Sequence, residues 1–310
     1  MPFTVTVASR VARKNKATSS AYPMVIELAS GSASLAELKR AIHKRHVGLT
    51  PERQRITSDD KKPLLDDDKA LQQQGVKDGD TLYVKDLGPQ VAWRTVFLTE
   101  YAGPLVINPL MFWLAPRIWG QFEHSRMQKL ALALVVLHYL KREVETVFVH
   151  RFSNGTMPLF NIFKNSTHYW ILSGVLLSGA INIPSLSASA LKGTVQDSDA
   201  FLIGCTAVWA LAEAGNAWAH IKLRNLRPPG TRERNIPRGG LFDFVSCANY
   251  FYEFLAWTAY TALTLSPASA LFAAVSTGQM AIWALGKHKK YRKEFKDYPR
   301  GRKAMFPFIF

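Results

Sequence analysis

The sequence predicts an α-helical multi-pass membrane domain preceded by a small α+β domain. Two observations carry this. Runs of about 18 or more mostly apolar residues, long enough to cross a bilayer, recur after residue 90 and are absent before it. The first 87 residues hold 15 Lys+Arg and 11 Asp+Glu, whereas the remainder holds 24 and 12, most of them between apolar stretches. A mean hydropathy near zero averages over these unlike parts. The border is therefore placed after residue 87, with 1–87 as a cytosolic head and 88–310 as the membrane-embedded part. Residues 1–4 lack the charged-then-apolar pattern of a signal peptide, so the head is expected to stay in the cytosol.

The net charge of +16 has no nucleic-acid recognition motif beside it, so the basic residues read as the cytosolic Lys/Arg excess of membrane proteins rather than as a nucleic-acid footprint. Cys205 and Cys247 both lie in apolar segments, which argues against a disulfide framework and against a thiolate metal site. No metal is expected.

In the head, Phe3, Val5 and Val7 alternate as one face of a strand, and residues 22–28 repeat the pattern after a polar link read as a turn. Ser34 with Glu37 three residues on forms a capping box, and Leu35, Leu38 and Ile42 share one face of the helix it opens. Lys39, Arg40, Lys44 and Arg45 read as its solvated face. Residues 75–84 form a turn into a last strand. Strand, strand, helix and short strands, with the Lys-Asp-Gly-Asp-Thr-Leu turn at 77–82, resemble a ubiquitin-like β-grasp domain. No Gly-Gly tail follows, so the resemblance implies a docking module or a folded appendage, not conjugation.

Beyond the head, six apolar spans are expected, at 91–114, 128–148, 168–183, 201–221, 245–263 and 268–285. The first contains Glu100 and Pro104 and should be kinked. A seventh or re-entrant segment is an alternative near 157–163. Six spans place both ends on one side, and the head makes that side the cytosol. The 222–238 loop, with six Lys/Arg and one Glu, and the tail from Lys287, with nine Lys/Arg, agree with this orientation; the basic 117–129 loop does not. The Asn154 and Asn165 glycosylation matches fall in an expected cytosolic loop and read as chance.

Polar groups inside these spans mark the candidate site. Asn216, His220, Arg224 and Arg227 are spaced to line one helical face. Asn249 and Glu253 are four apart, with Tyr250 turned about 100° away. Lys141 and Glu145 stand at i,i+4 at the end of the second span. The basic tail, with Tyr291 and Tyr298, suits phosphates or lipid headgroups. P-loop, Rossmann and Gly-x-Ser-x-Gly patterns are absent.

Three segments carry a resemblance over essentially the whole chain: Asn216-x-x-x-His220-x-x-Leu223-Arg224-x-Leu226-Arg227-Pro228-x-Gly230, then Val245-Ser246-Cys247-Ala248-Asn249-Tyr250-x-Tyr252-Glu253, then Gly286-Lys287-His288 through Glu294-Phe295-x-Asp297-Tyr298-Pro299. They resemble the steroid 5α-reductase family, and His220 with the Lys-Arg-Glu-x-Glu-Thr run at 141–146 resembles its enoyl-CoA reductase branch. The Ile236-Pro237-Arg238-Gly239-Gly240 run is closer to the steroid branch. The resemblance implies NADPH-dependent reduction of the C2=C3 bond of a very-long-chain trans-2-enoyl-CoA, in the endoplasmic reticulum membrane beside other fatty acid elongation enzymes. It implies Tyr250 as the acid and Lys141 as an essential residue that lowers the pKa of a tyrosine or steadies the oxyanion. Glu100 and Tyr139 are implied at the substrate carbonyl, and Asn216, His220, Arg224, Arg227, Asn249, Glu253, His288 and Tyr291 at the cofactor. The competing readings are a 3-oxo-Δ4-steroid reductase, a membrane S-adenosylmethionine-dependent methyltransferase and a non-catalytic anchor for the head.

Overall fold

The computed structural model describes residues 2–9, 22–64, 66–152, 155–228 and 235–310. The turn expected between the first two strands, the Asn154 match, Gly230 and most of the 222–238 loop's centre lie outside the described residues. The chain divides into two units, Met1–Ala92 with Thr156–Leu159, and Trp93–Gly155 with Phe160–Phe310.

The first unit is built on a mixed four-stranded sheet. Strands β1 (Phe3–Ser9), β2 (Met24–Leu28), β3 (Gln54–Thr57) and β4 (Thr81–Asp86) lie in the order β2-β1-β4-β3. β1 runs antiparallel to β2 and parallel to β4, with Val5 opposite Ile26 and Val7 opposite Leu82. Helix α1 (Leu35–Arg45) opens with the expected capping box, Ser34 to the Glu37 amide and Glu37 back to the Ser34 amide. It buries Leu35, Leu38 and Ile42 against Phe3, Val5, Val7, Ile26, Leu82 and Val84, which satisfies both periodicities at once. Lys39 is not simply solvated; its ammonium meets Asp67 at 2.6 Å. A further pairing joins β5 (Gln90–Ala92) to β6 (Thr156–Pro158), so residues near 157 form a strand, not a re-entrant helix.

Arg53 binds Asp86 through two parallel bonds, Nε to Oδ1 at 3.0 Å and Nη2 to Oδ2 at 2.6 Å. The hydrogen bond from Arg53 holds the Asp86 carboxyl below its ordinary pKa. A carboxylate whose folded pKa is depressed stabilises the fold above its unfolded pKa, and that contribution is lost as pH falls through the folded pKa. Asp86→Asn should therefore weaken β3–β4 at neutral pH by at most about 1 kcal/mol, since the pair is partly exposed. Amide hydrogen exchange on the full chain checks this: the mutant and wild type should differ at neutral pH and converge in acid.

The second unit is helical. Its long elements are α2 (Trp93–Ile118), α3 (Arg126–Phe148), α4 (Phe160–Thr167) continued by a π-helical stretch (His168–Leu176) and α5 (Leu177–Ile181), then α6 (Asp199–Asn225), α7 (Ala248–Thr264) and α8 (Pro267–Glu294). Of these, α6 and α8 are each long and apolar enough to cross a membrane. Helix α2 runs through Pro104, Pro109 and Pro116. Asn108 braces it, donating to the Pro104 carbonyl at 2.8 Å and to the Ser173 carbonyl of the π-helical stretch at 3.1 Å. The third helical segment begins at Phe160, eight residues before the expected start. Its first two turns are amphipathic and escape a search for unbroken apolar runs.

Helices α6 and α7 pack at Gly215, where a Cβ would collide with the ring of Tyr252. Gly215→Val should cost about 1–3 kcal/mol through overpacking, read as a lower thermal midpoint in detergent, and should displace the neighbouring Asn216. Between the two helices the chain turns at Gly239 and Gly240, both with positive φ, into a short 3₁₀ turn (Gly240–Asp243). Helix α7 therefore starts at Ala248 and not at 245. The tail returns to this entry: the Ser246 amide donates to the Lys303 carbonyl at 2.9 Å and the Cys247 amide to the Ala304 carbonyl at 3.1 Å.

Candidate active site

Polar stripes on three helices meet in the second unit. On α3, His138, Lys141, Arg142 and Glu145 recur at helical spacing; on α6, Glu213, Asn216 and His220; on α7, Asn249, Glu253 and Trp257. Asn216 is 1 % exposed and Glu145 4 %, so these groups must satisfy one another. They do so in two linked halves, save at Glu145 Oε1, which no hydrogen bond reaches among the described residues.

In the first half, Lys141 Nζ donates to Glu213 Oε2 at 2.7 Å and also to Asn216 Oδ1. His138 lies between two carboxylates, Nδ1 2.7 Å from Glu213 and Nε2 3.3 Å from Glu253. Asn216 Nδ2 donates to the Asn249 carbonyl at 2.9 Å and to Glu253 Oε2 at 3.1 Å, and Trp257 Nε1 donates to Glu253 Oε1 at 3.4 Å. In the second half, Arg142 Nη1 donates to Glu145 at 2.8 Å and Arg142 Nη2 to the Tyr101 hydroxyl at 2.9 Å, while His220 Nδ1 sits 2.9 Å from Glu145. Lys141 lies 3.7 Å from Glu145, the expected i,i+4 pair, and joins the halves. Glu145, His150 and His220 bring ligand atoms near one another. Arg142 already bonds Glu145 and lies 3.3 Å from His220, supplying the positive charge a metal would bring.

The expected stripe from Asn216 to Arg227 is not one lined face. Asn216 and His220 join different halves of the network. Arg227 lies beyond the end of α6, where its Nη1 donates to the Arg151 carbonyl at 2.7 Å. Arg224 is half-buried and its carbonyl accepts from Arg151 at 3.2 Å. The helix ends at Asn225, so the periodicity that put Arg227 on the face no longer applies.

Tyr250 faces away from Asn249 and Glu253, toward α8. Its hydroxyl accepts from Lys287 Nζ at 2.9 Å. Lys141 bonds Glu213 and Asn216, whereas the amine that reaches the Tyr250 hydroxyl is that of Lys287. Tyr139 is fully buried and donates to Ser173 Oγ at 2.6 Å. Glu100 is buried, and its Oε2 has no hydrogen-bond partner among the described residues. His288 Nδ1 and the Tyr298 hydroxyl both lie 2.6 Å from Ser246 Oγ, and Tyr291 stacks on Tyr298 with the rings 2° from parallel. These tail residues thus form their own cluster at the entry of α7.

Sequence reasoning missed His138, Arg142, Glu213 and Lys287. Glu213 carried a signal: it is an acid in a long apolar helix, three residues before Asn216. Lys287 stood in the Gly286-Lys287-His288 segment of the resemblance, but nothing along the chain marked it among the tail lysines as the partner of Tyr250.

A family profile described as 3-oxo-5-alpha-steroid 4-dehydrogenase matches residues 155–310, which contain α6, α7 and α8. The chain is also 43% identical over 289 residues to a very-long-chain enoyl-CoA reductase of Dictyostelium discoideum, covering 90% of this chain and 93% of that one. It is 40% identical over 297 residues to a Caenorhabditis elegans protein named "Probable very-long-chain enoyl-CoA reductase art-1", covering 92% and 94%. A human protein named "Trans-2,3-enoyl-CoA reductase-like" is 31% identical over 296 residues, covering 92% and 79%. A helical unit with charged and amide groups buried among apolar helices, and this profile, define the class: the chain belongs to the 3-oxo-5-alpha-steroid 4-dehydrogenase family, and within it to the group of the very-long-chain enoyl-CoA reductases.

Proposed function

We propose that the chain reduces the C2=C3 bond of very-long-chain trans-2-enoyl-CoA to the saturated acyl-CoA with NADPH, the last step of a fatty acid elongation cycle. The observation that carries this reading is the similarity, across nine-tenths of both chains, to a relative of that name. The same relatives favour an enoyl-CoA over a steroid enone and over methyl transfer from S-adenosylmethionine.

The residues present fit a nicotinamide dinucleotide phosphate. Asn216, Asn249 and Glu253 form a buried amide and carboxylate cluster. Lys222, Arg224, Arg238, Lys289 and Lys290, near the ends of α6 and α8, supply positive charge for phosphates. When bound, NADPH supplies the two electrons and the hydrogen that reach the β-carbon. Negative charge then develops on the thioester oxygen, where Glu100 in its protonated form, and Tyr139 once its hydroxyl turns from Ser173, would donate to the carbonyl. Tyr250 delivers the proton to the α-carbon. Asn216, His220, Arg224, Arg227, Asn249, Glu253, His288 and Tyr291 hold the cofactor or the elements that do, and Lys141 orients Asn216.

The remaining parts of this reading concern placement. Six spans, both termini in the cytosol and an endoplasmic reticulum membrane suit a substrate whose CoA group is cytosolic and whose acyl chain is apolar. The head, residues 1–87, is read as ubiquitin-like, supported by its mixed sheet order and single capped helix, and as a candidate contact for other elongation enzymes.

Purified protein should oxidise NADPH faster than NADH with a long trans-2-enoyl-CoA, and leave a 3-oxo-Δ4-steroid unreduced. Turnover of the steroid without turnover of the enoyl-CoA would overturn the reading. Preferential binding of S-adenosylmethionine would exclude a reductase.

A further inference from the structure

We propose that Lys287 is a positioning residue for proton transfer, holding the Tyr250 phenol by its oxygen so that the phenol hydrogen is left for the substrate. This rests on the enoyl-CoA reduction proposed above.

Lys287 is the first charged residue after the uncharged run 267–286 of α8. A lysine at such a place normally extends its ammonium into water. Lys287 is exposed, yet its Nζ also reaches Tyr250, 2.9 Å from the hydroxyl and 4.6 Å from the ring centroid. Trp283, four residues earlier on the same helix, packs against the same ring with centroids 6.4 Å apart, which limits where the phenol can go. An ammonium has no lone pair, so Lys287 is the donor and the phenol oxygen the acceptor. The phenol's own hydrogen is not used in that bond.

The charge balance around the two lysines also differs. Lys141 faces Glu213 at 2.7 Å and Glu145 at 3.7 Å, so its charge is compensated. Among the described residues no carboxylate forms an ion pair with Lys287. Its charge acts where negative charge appears when Tyr250 gives up its proton, which is the condition for favouring the transition state over the ground state.

The step balances as follows. Two electrons and one hydrogen, from the reduced nicotinamide dinucleotide, form the new C–H bond at the β-carbon. The π pair moves to the α-carbon and the thioester oxygen. The Tyr250 O–H bond breaks as the α-carbon–H bond forms, and the phenolate left beside Lys287 recovers a proton from water.

The test uses the full chain in detergent, with Lys287→Met, Lys287→Gln and Lys287→Arg. In the Met and Gln variants kcat should fall by about 10²–10³-fold, with KM for enoyl-CoA and for NADPH unchanged and the solvent deuterium isotope effect on kcat increased. Lys287→Arg should restore most of the rate, and Lys287→Met should add no further loss to Tyr250→Phe. A fluorescence titration of NADPH, independent of turnover, should give the wild-type affinity in every variant; should the Met variant fail to bind because it does not fold, the Gln variant decides. Wild-type kcat and isotope effect in the charge-free variants would overturn the proposal. A loss confined to NADPH affinity would also overturn it, placing Lys287 on a cofactor phosphate. Absence of enoyl-CoA reduction by the wild type would instead defeat the parent reading.

Discussion

Replacing Tyr250 with phenylalanine should lower kcat by about 10²–10⁴-fold, the usual worth of a positioned general acid. The change deletes one oxygen and keeps the ring that packs against Trp283. Folding should therefore be little affected, although the Lys287 ammonium loses its hydrogen-bond acceptor. Asn249 and Glu253 lie on another face of α7 and, with Asn216 of α6, keep their own bonds, so NADPH affinity should stay near the wild-type value. Stopped-flow single turnover with a saturating long-chain enoyl-CoA separates the two quantities. A mutant that reduces enoyl-CoA at the wild-type rate would place the proton source elsewhere, with Glu100 the next group to test.

Lys141→Met should have an equally large effect by a different route. Removing the ammonium leaves Glu213 without its lysine counter-charge at a buried site, while Glu145 keeps Arg142, and unpairing a buried ion costs about 3–5 kcal/mol. The amide of Asn216 loses the donor that fixes its orientation. Thermal stability and NADPH affinity should fall together. The double mutant Lys141→Met/Glu213→Gln should recover much of the stability, because the uncompensated carboxylate is gone; a double mutant as unstable as the sum of the two single ones would mean the residues act independently. Recovered stability without recovered turnover would show that the Lys141 charge is also needed for function.

How much of this was legible in the sequence depended on whether a residue's partners lay nearby along the chain. The capping box at Ser34 and the Lys141–Glu145 pair were legible because their members are three and four residues apart. Helix positions followed from apolar runs, and misplacements arose where a helix began with an amphipathic turn, as at Phe160, or late after a glycine turn, as at Ala248. Asn216, Asn249, Tyr250 and Glu253 stood out as polar groups in apolar surroundings. Their partners did not: Glu213 meets His138 from 75 residues away, and Lys287 meets Tyr250 from 37 away. One strand of charges cannot show which opposite charge it faces until helices are packed. The Asn216-to-Arg227 stripe failed for a related reason, since a period of 3.6 holds only while the helix continues.

The return of the tail to the start of α7 has a consequence for how the protein is made. The Ser246 and Cys247 amides donate to the Lys303 and Ala304 carbonyls, and Ser246 Oγ lies beside His288 and Tyr298. A nascent chain stopped short of Lys303 would present α7 with the Ser246 and Cys247 amides unmet, and one stopped before residue 287 would also leave Tyr250 without Lys287. The entry of α7 is completed only once the stretch through residue 304 has been made.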